Sequence, residues 1–344
     1  MGRTEIAYTL PHQVGIALPI QEELTGPDLV QLAVLAEDEG FDAVFAGEIA
    51  GPEVFSLLGA VAASTNRVNL ATGVVSVFTR SAALTAMAFV TLESLAPGRV
   101  IAGIGVGSHV VVDTWHGRNF VDTARTLREF VEAFRTAAAG ERTTYPGVRV
   151  RTSGFRVTLP LPGSIPVFIG AMTHNGLRLA GAVSDGVLLA FCPSEEVAER
   201  IAFVREGAER ADRDPDAVTI AVYVNAYAGP EIGVATERMR RLILQYAVQP
   251  THQPSFLGAF PQAPAAAKAW DAGDRTAALD LVSTDVVHRL TAVGSSAVVA
   301  DRLDQLRSAG VTLPVLFPQS LRFGDAISPA ETISRVGAEL RRRR

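Results

Sequence analysis

The stretch from Arg67 to Ser108, RVNLATGVVSVFTRSAALTAMAFVTLESLAPGRVIAGIGVGS, decides the fold. It opens on a β-branched apolar run (Arg67–Val75) and continues through apolar residues at helical spacing (Ala82–Leu95). It turns at Pro97-Gly98-Arg99 and ends on a second short apolar run, Val100–Ile104. Such short, mainly apolar runs mark strands of a parallel sheet covered on both faces, and strand–helix–strand is the unit that builds one.

The same rhythm runs outward in both directions. Upstream lie Val14–Leu18, a helix over Pro27–Glu39 stopped at Gly40, Ala43–Phe45 and a helix over Glu53–Ala63. Downstream come a helix over Thr123–Ala139 and the pairs Pro166–Ile169 with Gly176–Ala182 and Gly186–Ala190 with Glu195–Ala211. Val218–Ala226 with Ala235–Gln245 forms the seventh unit, and Pro314–Phe317 follows Ser295–Ser308 as the eighth strand before a closing helix over Pro329–Arg342. Eight units predict an α/β fold, a (β/α)8 TIM barrel, as one domain over residues 1–344. The alternative, an open doubly wound sheet, lacks the nucleotide fingerprint that would open it. Two excursions break the rhythm: a hairpin near 142–160 and a helical insertion near 250–293, too poor in apolar residues for a core of its own and placed to cover the mouth.

Composition narrows the function. With 31 basic and 36 acidic residues the formal charge is −5, which argues against nucleic acid as a partner. A single cysteine, Cys192, allows no internal disulfide and points to a reducing compartment. MGRTEIAYTLPHQ carries no apolar signal core, and no run of about 18 apolar residues occurs, so the expectation is a cytoplasmic protein with no membrane partner. Lys268 is the chain's one lysine and lies in an Ala-rich stretch, which disfavours Schiff-base chemistry. No G-x-S-x-G, P-loop or H-E-x-x-H pattern is present.

In a barrel of this kind chemistry sits at the carboxyl ends of the strands. That rule selects Gly47 and Glu48 after strand two, Thr72, Gly73 and Val74 at strand three, and Gly105, Gly107, Ser108 and His109 after strand four. It also selects Gly170, Ala171, Met172 and Thr173 after strand five, and Gly186 at strand six. Gly105 and Gly107 let backbone approach a flat ligand or a phosphate, although a plain tight turn explains them equally well. Gly170 to Thr173 precede a helix whose free N–H groups could cradle an anion. Glu48 is a candidate acid or polar anchor, with a helix N-terminal carboxylate as the structural alternative. His109, Asp113 and His116 fall at i, i+4 and i+7. That spacing would hold a metal on a helix, but HVVVDTWHG reads as a loop and no metal is expected; His109 and His116 remain candidate proton donors.

Together with GFDAVFAGE (Gly40–Glu48) and PVFIGAMTHNGLRLAGAVSDGVLL (Pro166–Leu189), the opening stretch resembles the luciferase-like monooxygenase superfamily over most of the chain. Glu48 and Trp115-His116-Gly117 resemble its coenzyme F420-dependent branch, with proteins similar to methylenetetrahydromethanopterin reductase. The resemblance implies a barrel holding a deazaflavin at its carboxyl mouth against strand three, over a non-proline cis peptide between Gly73 and Val74. It places Gly105, Gly107 and Ser108 near the cofactor side chain and Gly170 to Thr173 near its phosphate. It further implies hydride transfer to or from a small organic substrate, with Glu48 holding a proton or polar group, and a homodimer. Two departures leave the substrate open: Ile49 stands where sugar-phosphate dehydrogenase members carry a catalytic histidine, and GIALP in strand one lacks the acid of the pterin reductases. The alternatives are an FMN-dependent monooxygenase and a flavin-binding barrel without turnover.

Overall fold

A computed structural model describes residues 13–159 and 164–344. The N-terminal reading over residues 1–12 and the far edge of the hairpin at 160 lie outside them. Eight parallel strands form the barrel: β1 Gly15–Ala17, β2 Ala43–Ala46, β3 Asn69–Thr72, β4 Val100–Gly105, β5 Val167–Gly170, β6 Gly186–Leu189, β7 Thr219–Ala228 and β8 Leu313–Pro318. Each pairs with the next, and β8 returns to β1 through Gly15 opposite Val315, so the sheet closes. After β3 the chain breaks step at a cis peptide between Gly73 and Val74. It resumes as Val75–Ser76, which pairs with the end of β4.

Helices surround this sheet: α1 Gly26–Asp38, α2 Val54–Ser64, α3 Ala82–Leu95, α4 Thr123–Ala138, α5 His174–Val183 and α6 Val197–Glu209. Polar residues at the turns set where they start. Thr25 and Asp28 form a reciprocal capping box on α1, with Pro27 in the first turn, and the Ser81 hydroxyl accepts from Leu84 N at the head of α3. The expected hairpin forms from Thr143–Pro146 and Arg151–Phe155. Its tip is tied to α4 by the Glu129 carboxylate, which accepts from the backbone N–H groups of Val148, Arg149 and Val150.

The barrel's interior is solid below its mouth. Phe45 packs edge-on to Tyr223 (5.9 Å, 87°), and Tyr223 packs against Phe317 (5.5 Å, 64°). Gly186 makes room for this filling, since a Cβ there would lie 2.6 Å from the Phe168 ring. Above this filling, on the carboxyl side, Tyr223 and Val74 each keep part of their surface exposed.

The structure corrects two readings. The helix expected over Ala235–Gln245, here α7 Ile232–Ala247, does not cover the seventh strand. Its buried residues Ala235, Met239 and Ile243 join Phe256, Phe260 and Val287 in a second apolar cluster, so the insertion has a core of its own. The barrel's seventh crossover is made instead by α8, Ser296–Ser308, which contacts β7, β8 and the closing helix α9, Ile327–Arg343. The insertion's core includes Phe191, just past β6, and Tyr227 near the end of β7, and Met172 packs against it. It therefore sits over one side of the mouth.

Candidate active site at the carboxyl mouth

The centre of the mouth is Val74. A Cβ at Gly105 would lie 2.5 Å from Val74 Cγ2, and one at Gly170 would lie 3.1 Å from Val74 Cγ1. A Cβ at Gly73 would run into the Tyr223 hydroxyl, which donates to the Gly73 carbonyl at 3.4 Å. Gly105 and Gly170 are thus glycines because the side chain of Val74 rests on them. Val74 itself is half-buried and leaves a partly exposed apolar shelf at the carboxyl end. Burial raises the Tyr223 phenol above its ordinary range, so it stays protonated and able to donate.

Thr72 and Gly186 are withdrawn from the mouth. Thr72 is fully buried and its hydroxyl donates to the Gly103 carbonyl at 2.6 Å, linking β3 to β4. Gly186 opens β6 at its amino end, beneath the aromatic filling. Gly107 adopts φ +73°, a left-handed turn that turns the chain away from β4. Ser108 then starts a π-helix, Val110–Trp115, through its carbonyl, which accepts from Val112 N at 2.9 Å.

The histidines stand apart from this centre. His109 and His116 are both exposed; His109 Nε2 lies 3.6 Å from Asp113, and its ring meets Phe120 edge-on. The segment read as a loop is π-helical; the His116 backbone N–H donates to the Asp113 carbonyl, but among the described residues no side-chain hydrogen bond or ion pair joins His116 to the His109–Asp113 pair or either histidine to Glu48. Among the described residues no group of three His, Cys, Asp or Glu is placed to hold a metal.

Glu48 is gripped at both oxygens by Arg80, from Nε at 2.8 Å and from Nη2 at 2.6 Å. The same guanidinium also pairs with Glu53 and lies 4.8 Å from the centre of the Phe55 ring. Hydrogen bonding to Glu48 is the largest influence raising the Arg80 pKa. This bidentate grip makes Glu48 a fixed, charged anchor.

On the opposite rim Thr173 caps α5, its hydroxyl accepting from Gly176 N at 3.2 Å, and the residue is exposed. Ala171 is buried, while the Met172 carbonyl accepts from Ser255 Oγ of the insertion at 2.8 Å. Ser255 is held in turn by Arg200, whose Nη2 donates to its carbonyl at 2.8 Å. Beside it His252 stacks on Tyr246, which packs on Phe191. Burial lowers the His252 pKa, which keeps the ring neutral at pH 7. Cys192 is buried and its thiol is pushed up to about 12, an unreactive core group.

Sequence reasoning passed over Arg80, Tyr223, Glu22 and Arg238. Glu22, buried in the loop after β1, pairs with Arg238 of α7, and burial raises its pKa against the opposing pull of that arginine. The signal was present in part: Arg80 directly precedes the α3 cap, and Tyr223 sits at an inward position of an apolar strand.

Comparison with known proteins places this mouth in a family. The luciferase-like monooxygenase family profile matches residues 4–313. The 5,10-methylenetetrahydromethanopterin reductase of Methanolobus tindarius is 34% identical over 57% of this chain and 60% of its own length, so the chain matches less than two thirds of that relative. An F420-dependent glucose-6-phosphate dehydrogenase of Mycolicibacterium smegmatis is 32% identical over 63% of this chain and 70% of its own. The coenzyme F420-dependent tetrahydromethanopterin reductase of Methanopyrus kandleri shares the fold with a TM-score of 0.82, at 22% identity over 97% of this chain and 99% of its own. A closed parallel barrel with Val74 shelved on Gly105 and Gly170, and a profile match over most of its length, make this chain a member of the luciferase-like monooxygenase family.

Proposed function

We propose that the protein is a coenzyme F420-dependent oxidoreductase that moves a hydride between the deazaflavin and a small organic substrate. One observation carries the reading: the apolar shelf of Val74 on Gly105 and Gly170 stays partly exposed at the carboxyl end, in a chain whose relatives include several F420-dependent enzymes. The residues present fit such a group. Val74 offers a flat ring an apolar rest, and the free N–H groups at the head of α5, with Thr173, suit an anionic tail. Gly107 and Ser108 lie on the same rim, where the cofactor side chain would run. When bound, the coenzyme supplies hydride chemistry, and the protein supplies orientation and electrostatics.

The chain's own groups then divide the work. The Arg80-held Glu48 carboxylate fixes a negative charge at one edge of the mouth, where it orients a polar substrate group. Tyr223 holds a phenolic proton at the floor. The insertion excludes water from the side of β6 and β7. His109 and His116, exposed on the π-helical loop, are the weakest of the proposed proton carriers. The test is anaerobic incubation with reduced F420 and a panel of enones, imines and ketones, followed by the return of the oxidised deazaflavin absorbance. Turnover supports the reading. Turnover with reduced FMN and oxygen alone would support the monooxygenase alternative instead.

The assembly that fits best is a homodimer through α2 and α3. A groove of about 270 Å³ runs between them, lined by Phe55, Gly59 and the exposed Leu84, Met87 and Leu95. Light scattering of the purified protein and of Met87→Glu tests it: a dimer that dissociates on substitution is expected, and a monomer at the outset contradicts it. The single cysteine and the lack, among the described residues, of any helix long and apolar enough to cross a membrane fit a cytoplasmic place of work.

A further inference from the structure

The side of the mouth across from Val74 is built by β7 and β8. Ala221 and Tyr223 of β7 point into the barrel, as do Leu313, Val315 and Phe317 of β8. The two-residue period of a strand puts Asn225 one step above Tyr223 and Gln319 one step above Phe317, on the same inner face. Asn225 stands opposite Phe317 in the register. Both are buried, with 3% and 4% of their surface exposed.

The two side chains are bonded to each other. Gln319 Nε2 donates to Asn225 Oδ1 at 3.1 Å and to the Phe317 carbonyl at 3.4 Å. A backbone carbonyl only accepts, so that end of Gln319 is its NH2, and the end of Asn225 facing it is its oxygen. This leaves Asn225 Nδ2, a donor, and Gln319 Oε1, an acceptor, without a hydrogen-bond partner among the described residues. Neither belongs to the partnerless polar atoms sealed from solvent, so each keeps some accessible surface on this inner face.

Two cations of this rim are matched, while Arg322, three residues past Gln319, is exposed with no ion pair among the described residues. Arg80 is held by Glu48 and Glu53, and Arg238 by Glu22, with the Phe323 ring 4.5 Å from its guanidinium carbon. A phosphate or carboxylate seated on the couple itself would meet the Gln319 carbonyl oxygen, an acceptor facing an acceptor. An uncharged group that both accepts and donates would satisfy both amides.

We propose that Asn225 and Gln319 are the substrate-recognising couple of this mouth, and that they take an uncharged substrate whose edge carries a carbonyl beside an N–H, as in a lactam or cyclic imide. The substrate carbonyl accepts from Asn225 Nδ2, and the substrate N–H donates to Gln319 Oε1. This deepens the function proposed above and rests on it for the role of substrate, whereas the amide recognition itself does not.

The test titrates the full chain, free and saturated with F420, with 2-pyridone, N-methyl-2-pyridone and inorganic phosphate, read by ligand-observed NMR. Binding of 2-pyridone is expected, with N-methylation weakening it about tenfold because the donor is lost. Asn225→Leu and Gln319→Met each weaken 2-pyridone about tenfold and leave F420 affinity unchanged. Equal binding of the two pyridones, no binding of either, tighter binding of phosphate, or unaffected variants overturns the proposal. If a variant fails to fold, the comparison of the two pyridones on the unaltered chain decides. Should F420 displace 2-pyridone and be weakened by the same substitutions, the couple serves the coenzyme ring and the substrate role is overturned. If F420 does not bind but the pyridone selectivity holds, the couple stands and the F420 reading falls.

Discussion

Arg80 and Glu48 are 32 positions apart in the chain yet form a two-point ion pair at the rim of the barrel, 2.8 and 2.6 Å between partner atoms. Their side chains are only 14% and 19% exposed, so the pair sits at the boundary between protein and solvent. Arg80→Met leaves the carboxylates of Glu48 and Glu53 facing each other without their shared cation. The expected cost is about 2 kcal/mol in urea unfolding, below the ~3–5 kcal/mol of a fully buried pair because water still reaches both partners. Arg80→Lys keeps the charge and loses the fork, so a smaller loss is expected. An unchanged unfolding midpoint in Arg80→Met would show that the grip contributes nothing.

The contact between Gly105 and Val74 makes a sharper prediction. Gly105→Ala places a methyl 2.5 Å from Val74 Cγ2 and must shift the shelf on which the ring is proposed to rest. F420 affinity is expected to fall about tenfold, equivalent to about 1.4 kcal/mol. Adding Val74→Ala removes the colliding methyl, and the double variant is expected to regain part of the loss. Strict additivity of the two substitutions would place the shelf away from the ligand.

Glu37 governs acid stability on the opposite side of the barrel. Burial raises its pKa, but backbone N–H groups of Val68, Arg67 and Asn66 outweigh that and hold it below the ordinary value of 4.5. A depressed folded pKa contributes stability that is present above 4.5 and is lost as pH falls through the folded value. Glu37→Gln is therefore expected to cost about 1–3 kcal/mol at pH 7. The gap from the parent should narrow when urea melts are repeated below pH 4.5. A gap that widens in acid would reverse the sign of this account.

One mooring of the insertion is the turn at Ser255. Arg200 donates to the Ser255 carbonyl, and Ser255 Oγ donates to the Met172 carbonyl, both at 2.8 Å. Ser255→Ala is expected to raise hydrogen exchange over residues 249–260 and leave the barrel strands protected. Equal exchange in both proteins would mean that the turn is held by its apolar contacts alone.

The barrel was legible in the sequence because each strand is a short apolar run and each helix an amphipathic one, and both are local patterns. The misplaced seventh helix shows where that reading ends. Ala235, Met239 and Ile243 have the spacing of any barrel helix, and spacing tells which face is apolar but not what covers it. The glycines show the same limit. The missing side chain marked a close approach at Gly105, yet the group that approaches it, and Gly170 as well, is Val74, a residue of this chain. Thr72 and Gly186 were placed in the mouth by their position near strand ends, and their burial withdraws them. Partnerships over long separations, Glu48 with Arg80 or Asn225 with Gln319, have no local signature at all.

The central claim is tested most directly by equilibrium titration of the purified protein with oxidised F420 and, separately, with FMN, following the fluorescence of each ligand. The account predicts saturable F420 binding in the micromolar range or tighter, with FMN at least about tenfold weaker. Absence of F420 binding, or tighter binding of FMN with rapid reoxidation in air after reduction, would contradict it.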